Sequence, residues 1–245
     1  MNLPNEAVSD TRENKTASLP RHYEFMKSLM WLFMIMPVIV LALVYHRLPE
    51  QIPAHMNAAG MIDRYGSRSE LWMLPLFTVG FGVFLMWLLR VEEKKEEGNT
   101  KVILIVNALS ILTFHVIEYD WIYRAFRVSA GASSGSGSNT LLTMNLILGI
   151  LFIGLGNIFP KLRRNRYVGI RLPWIVSNDI VWIKTHRIGG ILFVLTGIAD
   201  LLATCMFIST IAFRIICVMQ AITLVFIIIY SYRLHLKVKK EAKEE

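Results

Sequence analysis

Residues 215–232 read Ile-Ile-Cys-Val-Met-Gln-Ala-Ile-Thr-Leu-Val-Phe-Ile-Ile-Ile-Tyr-Ser-Tyr, a run with no acidic or basic side chain. A helix needs about 20 such residues to cross a hydrocarbon layer about 30 Å thick, and a water-soluble core could not enclose the run together with its counterparts elsewhere. Five further apolar stretches occupy 28–45, 71–89, 102–123, 141–159 and 188–208. None alternates as barrel strands do, and a lone span must satisfy its own backbone, so all six are predicted helices. The fold class is therefore all-α, a polytopic membrane protein with six transmembrane helices.

Composition agrees, since 54% of the 245 residues are hydrophobic, 18% are charged and the mean hydropathy is +0.48. The net charge of +8 does not mark a nucleic-acid binder, because the basic residues flank the apolar blocks. No direct nucleic-acid contact is expected. Of the 26 Lys and Arg residues, 20 fall in both tails and the loops at 90–101 and 160–187, against 6 in the loops at 46–70, 124–140 and 209–214. The positive-inside rule then puts both termini and the two basic loops in the cytoplasm. Residues 1–21 are polar, so the first span is expected to act as its own insertion signal. Cys205 and Cys217 lie among apolar residues and read as small hydrophobes, not as a disulfide framework or a zinc site.

The chain divides into a polar N-terminal tail (1–27), a first helical hairpin with a long outer loop (28–89), a third helix with a Ser/Gly outer tether (90–140), a region of three further spans (141–232) and a basic C-terminal tail (233–245). Residues 129–139 lack any aromatic or branched side chain to anchor a fold, so a flexible tether is predicted there. The outer loop is far longer than two helices require. Turn signals at 57–60 and 65–67 bracket the run 61–65, which predicts a compact hairpin-like cap. His55, Asn57, Gly60 and Asp63 would gather on it as the candidate ligand-binding surface. One His and one Asp are too few for a metal site, and no cofactor is implied.

The basic loop is the most specific part of the chain. Pro160 ends the fourth helix, Ser177 or Asn178 can cap a new one, and 180–185 with Trp182 predict a short helix lying in the interface ahead of the fifth span. Trp174 and Trp182 suit headgroup depth, while Lys161, Arg163, Arg164, Arg166, Lys184 and Arg187 suit anionic lipid.

Ionisable groups within a span cost about 2.5–3.5 kcal/mol each on insertion scales, so His115, Glu118 and Asp200 require an explanation. His115 and Asp200 lie at matching depths and are predicted to pair, with Glu118 on the face of His115. Asn145 and Gln220 either line a polar cavity open to the outside or make interhelical hydrogen bonds. No metalloprotease motif, phosphate loop or nucleophile elbow occurs, which argues against an enzyme.

Together the two long loops resemble the SdpI family, multi-pass bacterial membrane proteins named for an immunity protein. The outer loop is similar to the uncharacterised domain that often precedes the family signature. Its motif is matched by Leu48, Pro49, Ile52, Pro53, His55, Asn57, Gly60, Asp63, Gly66 and Ser67. The inner motif is matched by Asn157, Pro160, Asn165, Gly169, Ile170, Arg171, Pro173, Trp174, Asn178, Trp182, Thr185, His186, Arg187 and Gly190. Met56, Arg68 and Ile175 depart from the residues the family commonly has there, Trp, Lys and Thr. The resemblance implies that 141–232 is the SdpI-like region of an immunity protein or signal receptor. It implies two activities known in the family, conferring resistance to a secreted peptide toxin met from outside and signalling by holding a transcriptional repressor at the membrane. Two competing readings remain: a small transporter using His115, Glu118 and Asp200, and a membrane scaffold with neither activity.

Overall fold

A computed structural model describes residues 21–57, 59, 61–94, 99–130, 137–165 and 167–244. Its helices are α1 (Arg21–Val44), α2 (Met73–Glu93), α3 (Thr100–Ser129), α4 (Gly137–Ile158), the single turn α5 (Pro173–Val176), α6 (Asp179–Met206) and α7 (Ser209–Glu244), with strands β1 (Gln51–Met56) and β2 (Ile62–Ser67) between α1 and α2. Among the described residues six helices are long and apolar enough to cross a membrane, and these are α1, α2, α3, α4, α6 and α7. Leu32, Ile150, Ile191, Leu202 and Ile222 stand more than 50% exposed on four of them. Such a surface suits lipid and not water.

The spans form two three-helix halves. In the first, Met30 and Met34 of α1 pack with Met86 and Leu89 of α2 and Ile103, Leu104 and Ile111 of α3. In the second, α4, α6 and α7 enclose Phe159, Phe193 and Ile227. Glycines decide the packing of this half. A Cβ on Gly190 would stand 2.7 Å from the Gly156 carbonyl oxygen, and one on Gly197 would stand 2.6 Å from that of Gly149. The two glycines on each helix are seven residues apart, two turns, so antiparallel α4 and α6 touch backbone to backbone twice along one seam. Between those contacts Phe152 stacks on Phe193 with centroids 4.5 Å apart. A hydrogen bond of 2.7 Å between Thr196 and Thr223 then ties α6 to α7.

Helix ends differ from the hydropathy boundaries. α3 runs on to Ser129, α4 begins at Gly137 inside the predicted tether, and α7 continues through the basic tail to Glu244. Residues 131–136 lie outside the described set. Along the tail, Lys237 faces Glu241 at 3.8 Å and Lys240 faces Glu244 at 3.7 Å, the i,i+4 pairing that supports a solvated helix. The separate interfacial helix is not observed. Residues 180–185 are the opening turns of α6, started by Asn178, whose Oδ1 accepts from the amides of Ile180 (2.8 Å) and Val181 (3.1 Å). Gly189 and Gly190 do not break the helix, because the bare backbone there meets α4 and Ile170.

Gly190→Ala and Gly197→Ala should each lower stability in detergent micelles by about 1–3 kcal/mol by overpacking the seam. Gly80→Ala, with nothing within 4 Å of its Cβ position, should leave thermal unfolding almost unchanged.

Candidate functional site

The predicted cap is an antiparallel β1–β2 hairpin whose register shifts on either side of His55. His55 Nδ1 lies 2.5 Å from Asp63 Oδ1, and both side chains are exposed. Asn57 points inward to the turn, its Oδ1 accepting from the amides of Ala59 and Met61 at 3.0 Å each. Gly60 lies outside the described residues. Arg64 donates two hydrogen bonds to Glu70, at 3.2 and 2.9 Å, and that carboxylate raises the proton affinity of the guanidinium. The hairpin is seated firmly on the helices. Trp121 Nε1 on α3 donates to the Pro53 carbonyl at 2.7 Å, and Ile52 is fully buried with Leu41, Leu71 and Ile122.

Between the two halves, the α3–α4 seam is closed at one end and open at the other. At the basic-loop end Val102, Val106 and Leu109 of α3 share a core with Phe152, Leu155 and Ile158 of α4. Toward the hairpin the helices part around a cleft of about 590 Å³. Its α3 wall is Thr113, Ile117, Trp121 and Arg124, its α4 wall Met144, Ile147, Leu148 and Leu151, and Phe213 of α7 closes one side. His55, Met56 and Asn57 form the lip. Arg124 Nε donates to Asp120 Oδ2 at 2.9 Å within α3, and Thr143 on α4 donates to Asp120 Oδ1 at 3.3 Å, so one hydrogen bond to this ion pair crosses the seam at the mouth. Thr140, 2% exposed, borders the cleft, and its buried hydroxyl has no hydrogen-bond partner among the described residues. A smaller groove of about 190 Å³ between α1 and α3 is lined wholly by apolar side chains and offers nothing to orient a ligand.

At the opposite end the basic loop straps the halves together. Asn165 folds it, donating to the Arg163 carbonyl and accepting from the amides of Tyr167 and Val168 at 2.8 Å each. Gly169 has φ +119°, and a Cβ there would stand 2.5 Å from His186 Nε2. The amide of Ile170 donates to that nitrogen at 3.0 Å while His186 Nδ1 donates to the Trp182 carbonyl at 2.9 Å, which fixes the neutral tautomer. Trp182 is fully buried, stacked on His186 at 4.0 Å and donating to the Leu162 carbonyl at 2.9 Å. This corrects its expected headgroup position. Trp174 donates to Ser231 on α7 at 3.1 Å, the Arg163 amide donates to Asn99 Oδ1 at 2.9 Å, and Val168 packs against the cores of both halves. Asn157, Pro160, Arg171, Pro173 and Arg187 remain on the surface, while Arg166 lies outside the described residues.

The intramembrane cluster divides in two. Asp200 accepts from Gln220 on α7 at 2.9 Å, and His115 Nδ1 donates to the Ile111 carbonyl at 2.8 Å beside Phe33 and Tyr119. His115 Nε2 and Asp200 Oδ1 have no hydrogen-bond partner among the described residues, so the predicted His115–Asp200 pair does not form. Each residue faces the interior of its own half. Glu118 is 1% exposed and its carboxyl oxygens, like the Tyr119 hydroxyl, lack a partner among the described residues. Of the two options for Asn145 and Gln220, interhelical hydrogen bonding is realised, with Asn145 donating to the Ser209 carbonyl at 3.1 Å. Sequence reading missed Asp120, Arg124, Trp121 and Thr140. An acid and a base four residues apart at a span end was the available signal for the first two.

Residues 161–231 match the SdpI/YfhL protein family, and residues 32–79 match a domain of unknown function. The first match covers the basic loop, α5, α6 and most of α7, and the second covers the second half of α1, the hairpin and the start of α2. An uncharacterised protein of Archaeoglobus fulgidus is 38% identical over 60 residues, covering 24% of this chain and 29% of that relative's length. No solved structure matches the chain.

Double-mutant cycles on stability should give additive losses, within about 0.5 kcal/mol, for His115→Ala with Asp200→Ala. Asp200→Ala with Gln220→Ala should couple by about 0.5–3 kcal/mol. Coupling of the first pair would contradict the separation of the two halves.

Proposed function

The chain belongs to the SdpI family of multi-pass membrane proteins, and from that premise we propose that it is an immunity protein or signal receptor for a membrane-active peptide. The hairpin end faces outward and the basic loop and both termini face the cytoplasm, as the 20 to 6 division of basic residues supports. The observation that carries the reading is the cleft, which opens at the hairpin end and has the outer-loop residues His55 and Asn57 at its lip. A peptide arriving from outside meets this rigidly seated hairpin first and offers its apolar side chains to the cleft wall.

Occupation of the cleft presses on the open end of the α3–α4 seam, while the strap at the closed end touches both halves through Val168. Arg171, Arg187, Lys161 and Lys184 stand exposed around that strap and supply a cationic face for a cytoplasmic partner, a transcriptional repressor in the signalling form of this reading. Asn165, Gly169, Trp182 and His186 build the face and do not contact the partner.

The transporter reading keeps one specific observation in its favour, the buried Glu118, whose carboxyl oxygens have no hydrogen-bond partner among the described residues. Against it, the polar groups fall in separate halves, with His115 and Glu118 in one and Asp200 in the other.

A sensitive cell expressing the parent chain should survive a membrane-active peptide from a competing strain. Met144→Phe with Ile147→Phe, which fills the cleft, should abolish that protection at unchanged membrane abundance, and Glu118→Gln should retain it. Protection that survives filling and fails with Glu118→Gln would favour transport.

A further inference from the structure

We propose that the cleft is an anionic-phospholipid site, taking one acyl chain between α3 and α4 with the lipid phosphate on Arg124. Three observations meet here. From Thr113 to Arg124 the α3 wall rises about 16 Å, the thickness of hydrocarbon in one leaflet. Ile117, Met144, Ile147, Leu148 and Leu151 along it are half-buried, so the groove is apolar and reachable over the depth at which a lipid chain would enter from the side.

The mouth has the complementary charge. Arg124 commits Nε to Asp120, which fixes the direction of the guanidinium fork, but neither Nη has an oxygen acceptor among the described residues. One of them touches only the Met56 sulfur, at 3.7 Å. A guanidinium carries five donors and matches phosphate geometry in pairs. A headgroup phosphate supplies the acceptors that the two Nη groups lack, and the volume of about 590 Å³ lies in the range of small-molecule sites.

This inference rests on the reading of the cleft as a ligand site and names a resident for it. The hairpin lip then guards a lipid, and a membrane-active peptide that binds the cleft has to displace it.

The test reconstitutes the full chain in phosphatidylcholine vesicles containing phosphatidylglycerol or phosphatidylcholine with brominated acyl chains, and reads quenching of Trp121 as the part absent from Trp121→Phe. The parent should be quenched by the brominated phosphatidylglycerol with about tenfold higher apparent affinity, because its phosphate has no choline ammonium beside it to offset the charge that Arg124 meets. Arg124→Gln should remove the preference, and Met144→Phe with Ile147→Phe should remove the quenching itself. Because Arg124 also pairs with Asp120, the double variant Asp120→Asn/Arg124→Gln, which removes both charges together, carries the same expectation. Equal quenching by the two lipids overturns the proposal, as does a preference that survives both Arg124 variants. Absence of quenching, with an added membrane-active peptide shifting Trp121 emission, assigns the cleft to peptide and overturns it as well. Lipid quenching is read before any peptide is added, so lost protection with lipid selection intact sinks the immunity reading alone, and the reverse result sinks this one alone.

Discussion

Where Gly156 faces Gly190 and Gly149 faces Gly197, α4 and α6 meet through backbone, closer than any side chain would permit. Lipid tails are as apolar as leucine, so helices in a bilayer gain little by hiding apolar surface from them and associate through close packing and hydrogen bonds. Two glycine contacts two turns apart hold α6 against α4 at both points and leave α7 to join through Thr196 and Thr223. The second half is thereby a fixed body against which the rest of the chain can be placed.

The first half joins that body chiefly near the basic loop. Asn165 and Gly169 shape the loop, His186 and Trp182 receive it, and Val168 reaches the cores on both sides. With the seam sealed there and the hairpin pinned to α3 by Trp121, the α3–α4 interface opens into the cleft toward the other end, where the hydrogen bond from Thr143 to Asp120 crosses it at the mouth. The family signature and the cleft are in this sense one device: the signature closes one end of the seam, and what enters the other end acts against that closure. The same geometry explains why so many signature residues are buried although their loop is polar and basic.

Much of this was legible in the sequence. Six apolar runs of membrane-crossing length gave the spans, and the turn residues around 57–60 gave the hairpin that brings His55 to Asp63. Hydropathy reports where lipid ends and not where a helix ends, so the watery continuation of α7 was missed although Lys237, Glu241, Lys240 and Glu244 spelled it out at i,i+4 spacing. Trp182 was misplaced because an indole beside basic residues reads as an interface anchor, whereas its true partners, His186 and the Leu162 carbonyl, depend on how the loop folds back. His115 and Asp200 share a depth, and depth carries no azimuth: one faces α1 and the other α7. The cleft had no signal of its own, since it arises from the angle between two helices.

The central claim is that the two halves meet at one end and leave a lipid-reachable cleft at the other. Site-directed spin labels test it in nanodiscs, placed singly at Ile147 on the cleft wall and at Leu155 in the sealed seam, with Cys205 and Cys217 replaced. Molecular oxygen, which concentrates in the hydrocarbon, should relax the label at 147 strongly and the label at 155 weakly. Equal and low accessibility at both positions would mean that α3 and α4 pack along their whole length, and would contradict the account.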